Sequence, residues 1–286
     1  MSLAEQIRTI EERFGEFAVR SGEPREHKES SRLLTGWAEI DAALGGGLTM
    51  AGLHEWFGVA PSKHFVACQG GETRRSAWTP PLAPLVHLVR QAMSCASFLH
   101  RAVWIGRRCF PYGGVLMGPS GDRRLLDRSL FVAADGPADR LWAADLALRS
   151  PTVGLVIADG SGFDMAATRR IQLVAKAHRT PALLARPPWE TRELSAAQTR
   201  WLVRWAERDQ GGSVPSPGQV YEESSSCNPR WSLELLRCKG MQPDSCPRVW
   251  ALEWDRGEGA VRLSTAVAHQ SGDARASTND RRLQRA

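Results

Sequence analysis

The chain has 286 residues, 42% of them hydrophobic and 24% charged, with a formal net charge of +6. That length can bury a sizeable core in one large domain or two small ones. No run approaches the ~20 consecutive apolar residues of a membrane-spanning helix, and the amino-terminal stretch lacks the apolar core of a signal peptide, so the reading is a cytoplasmic protein.

Residues 3–20 read as a helix, because Leu3, Ile7, Ile10, Phe14 and Phe17 recur at spacings of three and four. This helix, the segment 1–20, could pack on the core, dock separately or serve a partner. Residues 21–31 are polar and aperiodic and read as a linker. Leu53 to Phe57 is a short strand. Pro80 and Pro81 suit the first turn of a helix, whose inner face is Leu82, Leu85, Val86, Val89 and Met93. Strands follow at Ala102 to Gly106 and Ser129 to Ala134, then a helix at Ala138 to Arg149. Val153 to Ala158 is an unbroken apolar strand ending at Asp159. Asp164 caps a helix running to about His178, with Ala167, Ile171, Val174, Ala175 and His178 facing inward. Ala182 to Ala185 is a further strand. Alternating strands and helices with unbroken apolar strands imply a mostly parallel sheet covered on both faces.

Gln198 to Trp205 is ambiguous between helix and strand, and the alternation of Trp201, Val203 and Trp205 favours strand. Trp231 to Arg237, Val249 to Trp254 and Val261 to Val267 are strand-like with no helices between them, so they should add antiparallel strands at one edge. Residues 209–229 should be a loose loop. The tail from about 269 to 286 has almost no apolar content and reads as disordered. Six cysteines, at 68, 95, 109, 227, 238 and 246, form no CxxC pair, which argues against a zinc signature. Buried free thiols are expected.

The most specific stretch is Leu34 to Gly58. It contains Thr35-Gly36, Ile40-Asp41, the run Leu44-Gly45-Gly46-Gly47-Leu48, then Gly52, Glu55 and Gly58. This resembles the segment of RecA-type ATPases that leads into the first core strand and the phosphate loop. A working loop needs GxxxxGK[ST], whose backbone N–H groups cradle phosphates while the Lys and hydroxyl hold phosphate and magnesium. Here Gly58 is followed by Val59-Ala60-Pro61-Ser62-Lys63-His64-Phe65. Lys63 stands where the second Gly belongs, His64 where the Lys belongs and Phe65 where the Ser/Thr belongs, while Pro61 removes a donor. A second patch, Gly70-Gly71-Glu72-Thr73, also lacks the lysine, although Arg74 and Arg75 could attract an anion. Asp159 stands where a Walker B carboxylate would, yet without the loop it reads as the cap of the turn Asp159-Gly160-Ser161-Gly162. The expectation is a protein with neither catalytic residues nor a cofactor, its ATP–magnesium site degenerate at Gly58, Lys63 and Asp159.

Further segments narrow the likeness. They are Arg107-Arg108-Cys109-Phe110-Pro111-Tyr112, Arg140-Leu141-Trp142-Ala143, Met165 to Leu173, Leu183 to Pro187, Leu233 to Gly240 and Leu252 to Asp255. In that order, over residues 32–265, they resemble the ImuA family, RecA-like proteins of bacterial mutagenesis cassettes often labelled SulA-like. The resemblance implies a RecA-like domain over 32–268 and a role in the SOS response to DNA damage and in translesion synthesis. It also implies partnership with an ImuB-like Y-family polymerase homologue and an error-prone DnaE-type polymerase, and contact with RecA. A DNA-dependent ATPase with a rearranged loop, or a cell-division inhibitor, are the rival expectations. The segment Ser62 to Ser76 looks like an insertion peculiar to this chain.

A basic balance is compatible with DNA binding. The arginine bias, with lysine only at 28, 63, 176 and 239, equally reflects genome composition. Arg107, Arg108, Phe110 and Tyr112 follow a strand's carboxyl end, where open α/β sheets bind ligands and aromatics can stack on bases. The bland alternative is a solvated turn with one aromatic tucked inward. Arg169, Gln172, Lys176 and Arg179 fall on one helical face, a phosphate-tracking stripe or merely a wet surface. The tail arginines Arg281, Arg282 and Arg285 could add weak attraction.

Overall fold

The computed structural model describes residues 32–60, 77–94, 100–116, 123–206, 228–241, 249–255 and 258–264. The expected amino-terminal helix, the linker, Lys63 with the rest of the insertion, the loop 209–227 and the tail lie outside the described residues.

A two-stranded hairpin opens the fold, β1 (Arg32–Leu33) against β2 (Leu48–Thr49), with the short helix α1 (Ala38–Ala43) between them. The remaining elements are β3 (Leu53–Phe57), α2 (Leu82–Ser94), β4 (Arg101–Ile105), α3 (Gly113–Leu116), α4 (Arg124–Asp127), β5 (Ser129–Val132) and α5 (Pro137–Arg149). They continue with β6 (Val153–Asp159), α6 (Met165–His178), β7 (Ala182–Arg186), β8 (Thr199–Trp205), β9 (Arg230–Cys238), β10 (Val249–Asp255) and β11 (Ala260–Ser264). Nine strands form one sheet in the order β11-β10-β9-β8-β3-β7-β6-β4-β5. β8, β3, β7, β6, β4 and β5 run parallel to one another. β9, β10 and β11 extend the sheet from β8 as an antiparallel meander, so the α/β fold with an antiparallel carboxyl-terminal edge stands. No helix among the described residues is long and apolar enough to cross a membrane.

Both sheet faces are covered, which explains the unbroken apolar strands. Every residue of β3, β6 and β7 is buried. One face packs Trp56, Trp104, Leu155, Ile157, Leu183 and Trp201 under α2 and the amino-terminal hairpin. The other packs Leu53, Ile105, Val156, Ala158 and Leu184 under α5 and α6. α5 starts with proline in its first turn. The Asp164 side chain accepts from Ala167 N–H at 2.8 Å and caps α6. At its other end Arg179 adopts φ of 51°, the left-handed conformation that closes a helix.

Two buried histidines pin the first segments, His87 to α2 and His54 to the sheet. His87 stacks on Trp37 with centroids 4.6 Å apart and its Nε2 lies 2.9 Å from the Thr35 carbonyl. His54 Nδ1 and Nε2 lie 2.8 Å from Thr199 Oγ1 and 3.0 Å from the Thr49 carbonyl. Burial pushes both imidazoles down from 6.5 to about 4. The unfolded chain therefore binds protons at these sites below pH 6.5 while the folded chain does not until about 4. Stability is full above the unfolded value and falls as pH drops through that window, by on the order of 3 kcal/mol per histidine. Thermal melts across this pH range should show the fall, and His87→Gln should make it shallower; an unchanged midpoint would count against the assignment.

Candidate functional site

The carboxyl ends of the parallel strands form the edge where open α/β sheets bind ligands. β7 lies between β3, whose end would deliver a phosphate loop, and β6, which ends in Asp159. The three ends are level, because Trp56 and Asp159 both register against Ala185.

After β3 the backbone turns at Gly58, whose N–H donates to the Arg186 carbonyl at 2.8 Å. Val59 and Thr79 then exchange two backbone hydrogen bonds of 2.9 Å, an antiparallel bridge that clamps the base of the excursion before α2. A Cβ on Gly58 would lie 2.1 Å from the Thr79 carbonyl oxygen. Glycine here permits backbone to pass backbone. Thr79 forms this bridge, and α2 starts at Leu82, directly after the proline pair.

Asp159 is buried at the end of β6. Its Oδ1 accepts from Ser161 N–H at 2.9 Å, which makes the turn expected from the sequence. Its Oδ2 faces two guanidinium groups, Arg108 Nε at 3.6 Å and Arg140 Nη1 at 3.8 Å. Arg140 is itself buried and donates to the Asp135 carbonyl at 2.6 Å and the Ser161 carbonyl at 2.7 Å. Arg108 donates to the Trp78 carbonyl at 3.3 Å and lies 5.3 Å from the centre of that indole ring. It thus joins the end of β6 to the segment entering α2. A nucleotide-bound magnesium ion would need an open carboxylate oxygen at this corner, and both oxygens of Asp159 already have partners. Cys109 lies beneath, where burial and then the Asp159 charge push its thiol well above the ordinary range, leaving it protonated and inert.

The other edge candidates divide. Arg107 is largely exposed, 3.9 Å from Asp135. Phe110 is half-buried and meets the exposed Phe131 edge-on at 5.3 Å, while Tyr112 is 81% exposed. Tyr112 lines an apolar groove of about 190 Å³ with Leu82, Val115, Pro229, Trp231 and Trp254. Arg169, Lys176 and Arg179 are exposed on α6, away from Arg108. Gln172 does not belong to their stripe and corrects that expectation. It is buried, accepting from Leu53 N–H at 2.8 Å and donating to the Ala51 carbonyl, because the strand end of β3 needs partners for its backbone. Among the described residues no group of three or more His, Cys, Asp or Glu could hold a metal.

Sequence reasoning missed a buried charge cluster centred on Glu55. This carboxylate is fully buried in β3. It accepts from Arg186 Nη1 at 2.6 Å, Arg200 Nε at 2.7 Å and Ser195 Oγ at 2.8 Å. Arg186 also binds Glu190 and the Phe163 carbonyl, and Arg200 lies 4.8 Å over the Phe57 ring. Two carboxylates thus balance two guanidinium groups. The signal was present in the sequence: a glutamate in the middle of the apolar run Leu-His-Glu-Trp-Phe must have partners. Removing one member of such a buried pair strands the other charge, so Glu55→Gln should cost about 3–5 kcal/mol. Urea unfolding of that variant checks the figure, and a loss near zero would refute it.

No protein-family model matches the chain. Two curated relatives, the proteins named ImuA from two strains of Caulobacter vibrioides, NA1000 / CB15N and ATCC 19089 / CIP 103742 / CB 15, are each 27% identical to it over 219 residues, covering 73% of this chain and 79% of theirs. At this level of identity the chain is similar to the ImuA proteins over about three quarters of each sequence.

Proposed function

We propose that the chain is a non-catalytic, cytoplasmic RecA-like accessory protein of the DNA-damage (SOS) response. It supports translesion synthesis by recruiting polymerase partners or contacting DNA. The similarity to ImuA supports the mutagenesis setting, and with it an ImuB-like Y-family homologue, an error-prone DnaE-type polymerase and RecA as partners.

The observation that carries the non-catalytic reading is the state of Asp159. Two arginines supply the positive charge that a magnesium ion would bring, at 3.6 and 3.8 Å from Oδ2. The Val59–Thr79 bridge supports the same reading, since it spends backbone N–H groups that a phosphate cradle would present. Arg107, Tyr112 and the apolar groove leave the same edge free for macromolecular contact. Aromatic and arginine side chains of this kind dominate protein interfaces and single-strand stacking platforms alike.

Calorimetric titration of the full chain with magnesium–ATP should show no saturable binding, and ATP turnover should stay at background. Co-purification should retain the chain with an ImuB-like homologue or an error-prone DnaE-type polymerase. Magnesium-dependent micromolar ATP binding would sink the non-catalytic half of the reading and leave a DNA-dependent ATPase with a rearranged loop; failure of every co-purification would sink the recruiting half.

A further inference from the structure

Each crossover between the parallel strands up to β7 carries an α-helix. The one from β7 to β8, residues 187–198, has only the 3-10 turn Pro188–Arg192. Parallel strands are usually joined through a helix, so the layer over this part of the sheet is thin. The strap lies between α6 and β9. Ala196 N–H donates to Thr168 Oγ1 of α6 at 3.3 Å. From the other side Arg237 Nη2 donates to the Ser195 and Ala197 carbonyls at 2.8 and 2.9 Å, and Lys239 Nζ to the Ala196 carbonyl at 2.7 Å.

The strap is also held from beneath. Arg186 binds the Glu190 carboxylate at 2.8 and 2.6 Å, Arg200 donates to the Thr191 carbonyl at 3.0 Å, and Ser195 Oγ donates to Glu55 at 2.8 Å. A backbone fixed by so many charged groups nonetheless turns its two largest apolar side chains to solvent. Trp189 is 48% exposed and Leu194 77%. Anchors held this firmly lose little freedom on binding, and tryptophan and arginine lead among the residues that dominate protein interfaces.

The charge around them is one-sided. Arg192 on the strap, Arg169 on α6, and Arg237 and Lys239 at the end of β9 are exposed, against the strap's one exposed carboxylate, Glu193. None of these four cations has an ion pair among the described residues. Partial burial and then the Arg237 charge push the Lys239 ammonium below the ordinary lysine range. Phosphates would satisfy the cations and leave Leu194 in water. An acidic chain with apolar side chains satisfies both, and a helix about 10 Å across would complete the thin layer.

We propose that the strap 187–198, with Trp189 and Leu194 as apolar anchors and Arg169, Arg192, Arg237 and Lys239 as a cationic rim, docks an acidic amphipathic helix of a partner protein. The inference rests on the recruiting half of the proposed function and gives it a surface apart from the Asp159 corner and the groove beside Tyr112.

The probe is a fluorescein-labelled synthetic helix of about five turns, with Leu and Phe on one face and Glu on the other, titrated with the full chain at low salt and followed by anisotropy. Saturable binding at micromolar concentrations is expected. It should weaken at least about tenfold in Leu194→Asp and in Arg169→Glu/Arg192→Glu, and equally when the wild type meets a probe with Gln in place of Glu. These exposed side chains hold neither strap nor core, so melting midpoints should stay within about 2 °C of the wild type. Absence of saturable binding, or binding that ignores both variants, overturns the proposal. So does labelled oligothymidylate that displaces the probe and is itself lost in Arg169→Glu/Arg192→Glu, which assigns the face to DNA. Retention of an ImuB-like homologue by the wild type without probe binding sinks this surface alone. Probe binding without any retained polymerase partner sinks the recruiting reading alone.

Discussion

One buried carboxylate holds the centre of this molecule. Glu55 lies in β3, and its two arginine partners come from the strands on either side, Arg186 from β7 and Arg200 from β8. β3 is also where the parallel sheet meets the strand that turns it antiparallel, since β8 pairs parallel with β3 and antiparallel with β9. Desolvating a carboxylate this deeply is costly unless paired hydrogen bonds replace its water. The cluster therefore fixes one lateral register for three strands. A slip of one residue would turn Glu55 into the tryptophan-rich face and strand both arginines. Surrounding backbone is drawn into the same arrangement. Arg237 donates to the Ser195 and Ala197 carbonyls and Lys239 Nζ to the Ala196 carbonyl, so the connection from β7 to β8 is held from both sides.

This constraint sets the geometry of the carboxyl edge. With β3 and β7 locked, the Arg186 carbonyl is available to Gly58 N–H, and the chain leaves β3 along a path that brings it against Thr79. Gly58 belongs to a motif that resembles a phosphate loop, yet the approach it permits here is to the Thr79 carbonyl. A residue type tied to nucleotide binding in one setting thus has a complete explanation in chain packing. The glycine is no evidence for phosphate.

Much of the architecture was legible in the sequence because it follows from short-range pattern. Unbroken apolar strands such as Val153 to Ala158, the Asp164 cap and the alternation at Trp201, Val203 and Trp205 each carry their own physical signature, and each element forms where that signature lies. The site was less legible because its chemistry is long-range. Glu55 and its arginines are separated by 131 and 145 positions, and no linear spacing announces their meeting. Arg108 stood out through its place after a strand, but its attachment to both Asp159 and Trp78 depends on how α2 enters. Gln172 misled for a related reason. Three cations on a helix suggest a polar stripe, and only the fold reveals that the strand end beside it needs a glutamine amide. Small elements such as α1 and α4 escaped because six or four residues are too few to establish a period.

Asp159 stands at the edge where open α/β sheets bind ligands, and the charges that face it come from the chain itself. A carboxylate at the end of a buried strand requires a cation, and in a nucleotide-binding relative of this architecture a metal would fill that need through water. Here two guanidinium groups fill it from within the chain. Arg140 does so from a buried position in which two backbone carbonyls fix it. Arg108 does so while reaching across to Trp78. Asp159 Oδ2 thus already faces two cations of the chain, Arg140 buried and Arg108 partly exposed. Under the proposed reading the advantage is constancy: the edge that carries Arg107, Tyr112 and the apolar groove has the same shape whatever the nucleotide supply. A surface meant for a protein or a DNA strand gains from such rigidity, because less conformational freedom is lost on binding.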